Sequence, residues 1–195
     1  IQDNEWQAAL EHKIQLSAVQ LEFGLQYARK DRDTSIHEAE AEVENETVLR
    51  PLADSDYGDF EAVAGGLSTI EETRLDPYVM LSGETGALKW EAGLRYETTD
   101  VTITDETVAA ADRVQSKDYG VLLPSASVRW AFSDADRITA SVARTVRRPN
   151  FDFISPAVLE GEYGDNDFLG NPNLEPEKAW GLDLGYERRL GRRGV

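Results

Sequence analysis

Between Val19 and Tyr27 every second residue is large and apolar: Val19, Leu21, Phe23, Leu25 and Tyr27 alternate with Gln20, Glu22, Gly24, Gln26 and Ala28. A period of two belongs to a β-strand, because successive side chains leave opposite faces of the pleat, so this stretch must carry one apolar and one polar face. The same pattern recurs downstream. Leu88, Trp90, Ala92, Leu94 and Tyr96 alternate with Lys89, Glu91, Gly93, Arg95 and Glu97, and Trp180, Leu182, Leu184 and Tyr186 alternate with Gly181, Asp183, Gly185 and Glu187.

Four less regular runs complete a set of seven expected strands. Trp6, Ala8 and Leu10 mark a strand over residues 4–12, and Ile138, Ala140 and Val142 mark another. From Arg74, Tyr78 and Met80 face one way and Val79 and Leu81 the other, so the pattern leaves the burial side of that strand open. The run over 119–132 contains Pro124, which lacks a ladder donor and predicts a bulge or local break. No helix is expected. The links between strands run short, long, short, long, short, long: tight turns such as Gly83-Glu84-Thr85-Gly86 and Ser133-Asp134-Ala135-Asp136 alternate with polar loops over 31–72, 104–117 and 149–177. That order puts every tight turn on one rim of an up-and-down antiparallel sheet and every long loop on the other, the asymmetry of an outer-membrane barrel. Aromatic residues fall toward both ends of the strands, with Trp90, Trp130, Phe132 and Tyr186 toward the tight turns and Tyr27, Tyr96 and Trp180 toward the loops, as membrane-interface girdles do.

Composition closes off most chemistry. A net charge of -17 over 195 residues argues against nucleic acid as a partner. The absence of cysteine removes disulfides, thiolate metal sites and thiol catalysis. Only His12 and His37 exist, too few for a zinc site of several histidines and badly placed for a Ser/His/Asp triad, and both read as exposed bystanders. Gly83 to Lys89 lacks the Walker spacing. Asp54, Asp56 and Asp59, or Asp165 and Asp167, suggest calcium only as a hypothesis, because neither group has the EF-hand order of ligands. No catalytic residue, metal or cofactor is expected. No run reaches the roughly 18 to 20 apolar residues of a spanning helix, which leaves strands free to cross a membrane.

Three pieces in order carry a family resemblance: Arg147-Arg148-Pro149-Asn150-Phe151 at the exit of one strand, Gly170-Asn171-Pro172-Asn173-Leu174-Glu175-Pro176-Glu177 on the return, and the Gly-x-Asp-x-Gly-Tyr strand from Gly181 to Tyr186. Together they resemble the C-terminal barrel of TonB-dependent outer-membrane receptors. The resemblance implies an all-β, antiparallel transmembrane barrel of 22 strands, of which this chain supplies about seven, with the N-terminal plug domain lying elsewhere. It implies TonB-energised uptake of a scarce nutrient (iron–siderophore, cobalamin or carbohydrate), at the outer membrane of a Gram-negative bacterium. The implied partners are outer-membrane lipid, the plug, the TonB complex acting through it, and a small-molecule substrate held by the long loops. Arg148, Pro149, Asn171, Pro172, Leu174, Pro176 and Glu177 match the family pattern and are expected to shape the loop.

On this reading Gln20, Glu22, Gln26, Lys89, Glu91, Arg95, Glu97, Arg129, Asp183 and Glu187 face the lumen, where mixed charge can pair internally or seat a plug. The abrupt start is expected of a piece of a longer chain. Two other readings stand beside it. One is a soluble or surface-exposed β-sheet binding module that covers its apolar face with a partner, and the other is an outer-membrane enzyme barrel, disfavoured by the scarcity of histidine.

Overall fold

In the computed structural model, residues 1–39, 57–159, 166 and 168–191 are described. The chain forms β1 (Gln2–Leu16), β2 (Val19–Glu38), β3 (Glu61–Thr85), β4 (Leu88–Asp105), β5 (Val114–Trp130), β6 (Asp136–Arg147), α1 (Phe151–Ile154), β7 (Val158–Leu159), β8 (Phe168–Leu169) and β9 (Glu177–Arg188). Among the described residues, seven strands make one open antiparallel sheet in the order β1-β2-β3-β4-β5-β6-β9, and β7 and β8 pair separately. Each strand of this sheet pairs with the next of its seven along the chain, β9 following β6 across the segment that holds α1, β7 and β8.

The tight links reverse the chain for identifiable reasons. Leu16 pairs with Val19 across Ser17-Ala18, and Thr85 with Leu88 across Gly86-Ala87. The first central residue of each turn has positive φ, 54° at Ser17 and 60° at Gly86, matching the right-handed twist of the flanking strands. Between β5 and β6 the Ser133 hydroxyl accepts from the backbone N–H groups of Ala135 and Asp136 at 3.2 and 3.0 Å. It also donates to the Asp136 carboxylate at 2.7 Å.

The strands outrun their sequence patterns. β2 reaches Glu38 and β3 begins at Glu61, so the loop expected over 31–72 is shorter by ladder pairs such as Arg32↔Ile70 and Thr34↔Ser68. Likewise β4 runs to Asp105 and β5 starts at Val114, which shortens the 104–117 loop, and β1 covers Gln2–Leu16 rather than 4–12. Along residues 31–35 both faces of β2 are polar, so hydrogen-bonded pairing continues with no change of environment for alternation to report. A bulge between Ser35 and His37 marks where the β2–β3 ladder slips near its end. The 149–177 segment holds α1 and the β7–β8 pair, correcting the expectation of no helix. Both histidines lie in strands: His12 packs its ring 5.4 Å from Phe23, and His37 pairs with Ala62.

Two prolines interrupt the ladders. Pro124 pairs with Leu94 without a bulge, but the β5–β6 ladder stops beside it, at Ser125↔Ala143. The expected break therefore falls on the β6 side alone. Pro77 falls in a gap of the β3–β4 ladder between Leu75↔Thr98 and Tyr78↔Arg95. Each lacks the N–H that the next rung needs.

Directly opposed residues share a face, so the registers sort every strand. One face carries Trp6, Leu10, Phe23, Leu25, Val79, Leu81, Leu94, Leu122, Val128, Val142, Leu182 and Leu184. These side chains are exposed, Leu25 by 40% inside the sheet and Leu182 by 80% on a border strand. Tyr78 and Met80 fall on the opposite face and Val79 and Leu81 on this one, which decides the strand that the sequence left open. The apolar band on β2 runs from Val19 to Tyr27, roughly 30 Å of strand, or about 23 Å in height at a tilt of about 40°. Trp130, Phe132 and Tyr186 cluster at its turn-side border, with ring centroids 5.5 and 6.5 Å apart. No described helix is long and apolar enough to cross a membrane, which says nothing against strands doing so.

Candidate functional site

The other face is polar, and the register places all ten expected lumen residues on it. Gln20, Glu22 and Gln26 come from β2, Lys89, Glu91, Arg95 and Glu97 from β4, Arg129 from β5, and Asp183 and Glu187 from β9. Toward the turn rim this face is hollow, with a space of about 610 Å³ lined by Gln20, Lys89, Glu91, Arg129 and Asp183 among others. Arg137 and Glu187 form a forked ion pair there, and the Ser141 hydroxyl donates to Asp183 at 3.2 Å.

At mid-height the polar side chains knit together. Asp76, only 1% exposed, accepts from Arg74 at 2.7 Å and Arg95 at 3.1 Å through one carboxylate oxygen. Arg95 also donates to Glu97 at 2.9 Å and to Gln26, and Arg148 donates to Glu97 at 2.5 Å and to the Thr99 hydroxyl at 2.8 Å. A buried carboxylate persists only when such donors replace its water. Beside it Tyr78 lies over Gly24, where any Cβ would meet the ring at 2.6 Å. Its hydroxyl reaches Glu11 at 3.1 Å and Glu22 at 3.3 Å, and Lys13 bridges the same two carboxylates at 2.8 and 3.1 Å. Sequence reasoning missed Arg74, Asp76 and Tyr78. Their i, i+2 spacing was the available signal, masked by apolar residues in both registers of β3.

Near the loop rim the polar face changes character. Ile70, Val101 and Ile103 form an apolar patch, and α1 folds over it to bury Phe151, Ile154 and, just beyond, Ala157. This is the apolar core of the described structure, and it belongs to the loop rather than to the alternating band. Asn150 caps α1 by accepting from the Phe151 N–H at 2.8 Å. Lys30 sits 4.6 Å from the centroid of the Phe151 ring, a cation–π contact, while Arg32 grips both oxygens of Asp3 at 2.6 and 2.7 Å and also pairs with Asp152. Gly65, at φ 68°, lies so close to the segment after α1 that a Cβ would stand 2.1 Å from the Pro156 carbonyl oxygen.

The motif residues divide by role. Arg148 anchors the exit of the loop to β4, and Pro149 stands between it and the capping Asn150. On the return, Asn171 takes the Asn173 N–H on its side chain at 3.0 Å and the Leu174 N–H on its carbonyl at 3.1 Å, a tight turn around Pro172. Lys117 of β5 donates to the carbonyls of Asn173 and Leu174 at 3.1 and 2.9 Å. Pro176 is buried, and Glu177 is exposed at the start of β9, 3.8 Å from Arg147. Asp54, Asp56, Asp165 and Asp167 lie outside the described residues, and Asp59 is exposed. Among the described residues no group of three or more His, Asp or Glu is placed to hold a metal ion.

A family described as TonB dependent receptor-like, beta-barrel, matches residues 2–194. The chain belongs to this TonB-dependent receptor β-barrel family. That description is of a receptor barrel. Among solved structures, the crystal structure of the ferric citrate transporter FecA in the unliganded form is similar over 97% of this chain, at 16% identity and a TM-score of 0.51. At that identity the likeness concerns the fold, and the chain spans 26% of the transporter's length. No curated protein matches in sequence. For this TonB-dependent receptor barrel, the two faces of the sheet and the docked root of the 149–177 loop are the features on which function must rest.

Proposed function

We propose that this chain is part of the wall of an outer-membrane transporter that takes up a scarce nutrient with energy delivered by the TonB complex. The observation that carries the reading is the two-faced meander. One uncovered sheet has a continuous apolar band on one face, a salt-bridged polar surface on the other, tight turns on one rim and long loops on the opposite rim. Lipid is the solvent that suits an uncovered apolar band of that height, and water or a polar plug suits the other face. On this reading Gln20, Glu22, Gln26, Lys89, Glu91, Arg95, Glu97, Arg129, Asp183 and Glu187 line the lumen of a barrel of about 22 strands. The plug domain, lying elsewhere in the protein, seats on that surface and couples to TonB. The 149–177 loop, with its neighbours, contacts the substrate, drawn from the iron–siderophore, cobalamin or carbohydrate classes.

Membrane fractionation of the full-length protein in its Gram-negative host tests this directly. The expected result is an outer-membrane protein whose unheated form migrates faster on a denaturing gel, and whose substrate uptake stops when TonB is deleted. A freely soluble, monomeric protein with no heat-modifiable band would overturn the reading in favour of a soluble β-sheet binding module.

A further inference from the structure

We propose that the pocket between the root of the 149–177 loop and the β6–β9 rim binds a neutral, polyhydroxylated ring, that is, a sugar unit of a carbohydrate substrate. The inference rests on the uptake reading above and narrows its substrate class. The space measures about 360 Å³ and is bounded by Arg147, Pro149, Phe153, Leu174, Glu175 and Glu177. That is the size of a small-molecule site rather than of a strand or helix.

Phe153 gives the space its aromatic wall, and Phe168, outside the lining, buttresses that ring. Phe151 and Phe153 lie two residues apart in α1, so they point to opposite sides of the helix. Phe151 is 2% exposed against the wall, whereas Phe153 is 47% exposed and meets Phe168 edge to face, with centroids 5.9 Å apart and planes at 62°. Two large rings held in water cost free energy that a stacked C–H face would recover. They are also held in place beforehand, because Arg148, Phe151 and Lys117 tie both roots of the loop to the sheet. Such preorganisation lowers the ordering cost of binding.

The polar wall selects among ligands that bear rings. Arg147 and Glu177 stand 3.8 Å apart, both nearly four-fifths exposed, and Glu175 adds a second carboxylate. Arg147, Arg148, Glu175 and Glu177 give the lining two guanidiniums and two carboxylates, so neither an anion nor a cation meets a net opposite charge there. A hydroxyl both donates and accepts, so neighbouring hydroxyls on one ring are matched by a donor standing next to acceptors.

The test uses the full-length receptor purified in detergent, with binding heats measured for maltohexaose, xylohexaose and chitohexaose, and for ferric citrate as an anionic comparison. Saturable binding of at least one oligosaccharide is expected, weakened about tenfold by Phe153→Ala and by Phe168→Ala and several-fold by Glu177→Gln, in variants that keep the heat-modifiable band. Binding of none of the three oligosaccharides, or binding unchanged in both phenylalanine variants, overturns the proposal. An outer-membrane, heat-modifiable receptor that binds no sugar separates this failure from failure of the uptake reading, which would instead lose the membrane location.

Discussion

The guanidinium of Arg148 donates to the Glu97 carboxylate at 2.5 Å, between side chains that are only 14% and 11% exposed. The residue that opens the long loop is thereby bonded to the middle of β4. Arg148→Ala leaves Glu97 short of a charged donor in a poorly solvated site, although Arg95 still serves it. A loss of about 2–3 kcal/mol is expected in the urea unfolding of the refolded full-length barrel. Arg148→Lys is expected to recover only part of this, because one ammonium cannot reproduce the fork to Glu97 and Thr99. Stability equal to the parent in Arg148→Ala would remove the anchor from the account.

Phe151 carries the packing of α1. Truncation in Phe151→Ala opens a cavity over Ile70, Val101 and Ile103, at an expected cost of about 3–5 kcal/mol to the docked state. Hydrogen exchange should then accelerate at the N–H groups of Phe153 and Ser155, which bond to Asn150 and Phe151. Exchange in the β4–β5 ladder should stay slow. Equal acceleration in both places would mean that α1 is no separate unit.

Gly65 and Gly86 share a positive φ but not their surroundings, which makes them a paired test. Around Gly86 a Cβ would meet nothing within 4 Å, so Gly86→Ala carries only the backbone penalty, on the order of 1 kcal/mol. At Gly65 a Cβ collides with the Pro156 backbone, so Gly65→Ala must also push the segment after α1 away. The expected outcome is a clearly larger destabilisation for Gly65→Ala, together with protease cleavage near Pro156. Equal effects at the two glycines would refute the close approach.

Leu25 and Gln26 are neighbours in β2 that the register sends to opposite faces. With the apolar band in lipid, Leu25→Arg should cost about 2–4 kcal/mol of folding stability in vesicles, since it puts a charge near the bilayer midplane. Gln26→Arg should cost less, because Asp76 and Glu97 share its face and offset part of the loss of the acceptor that Gln26 offers Arg95. The reverse ranking would turn the sheet inside out.

The strands and their faces were legible in the sequence wherever one face is apolar and the other polar, as in Val19–Tyr27, Leu88–Glu97 and Trp180–Glu187. A period of two is a direct consequence of the pleat, and the alternation of short and long links follows from a meander, so neither needs tertiary contacts to be read. β3 resisted, because Tyr78, Val79, Met80 and Leu81 are apolar in both registers, and only pairing with Phe23 and Leu94 assigned its faces. The reach of β2 to Glu38 was hidden for the opposite reason, both faces being polar along residues 31–35, whereas Val101 and Ile103 continue the alternation of β4 and carry it in the sequence to Ile103.

The loop motif was visible as a string of residues, but its work was not. That Arg148 bonds to Glu97, that Phe151 fills a patch built by Ile70, Val101 and Ile103, and that Lys117 holds the return turn are facts of placement between residues distant in the chain. Sequence alone determined the two-faced sheet, because alternation is a local property of each strand. Only the tertiary structure decided where the apolar core lies and which charges meet, because burial and ion pairing depend on what the fold brings opposite each side chain.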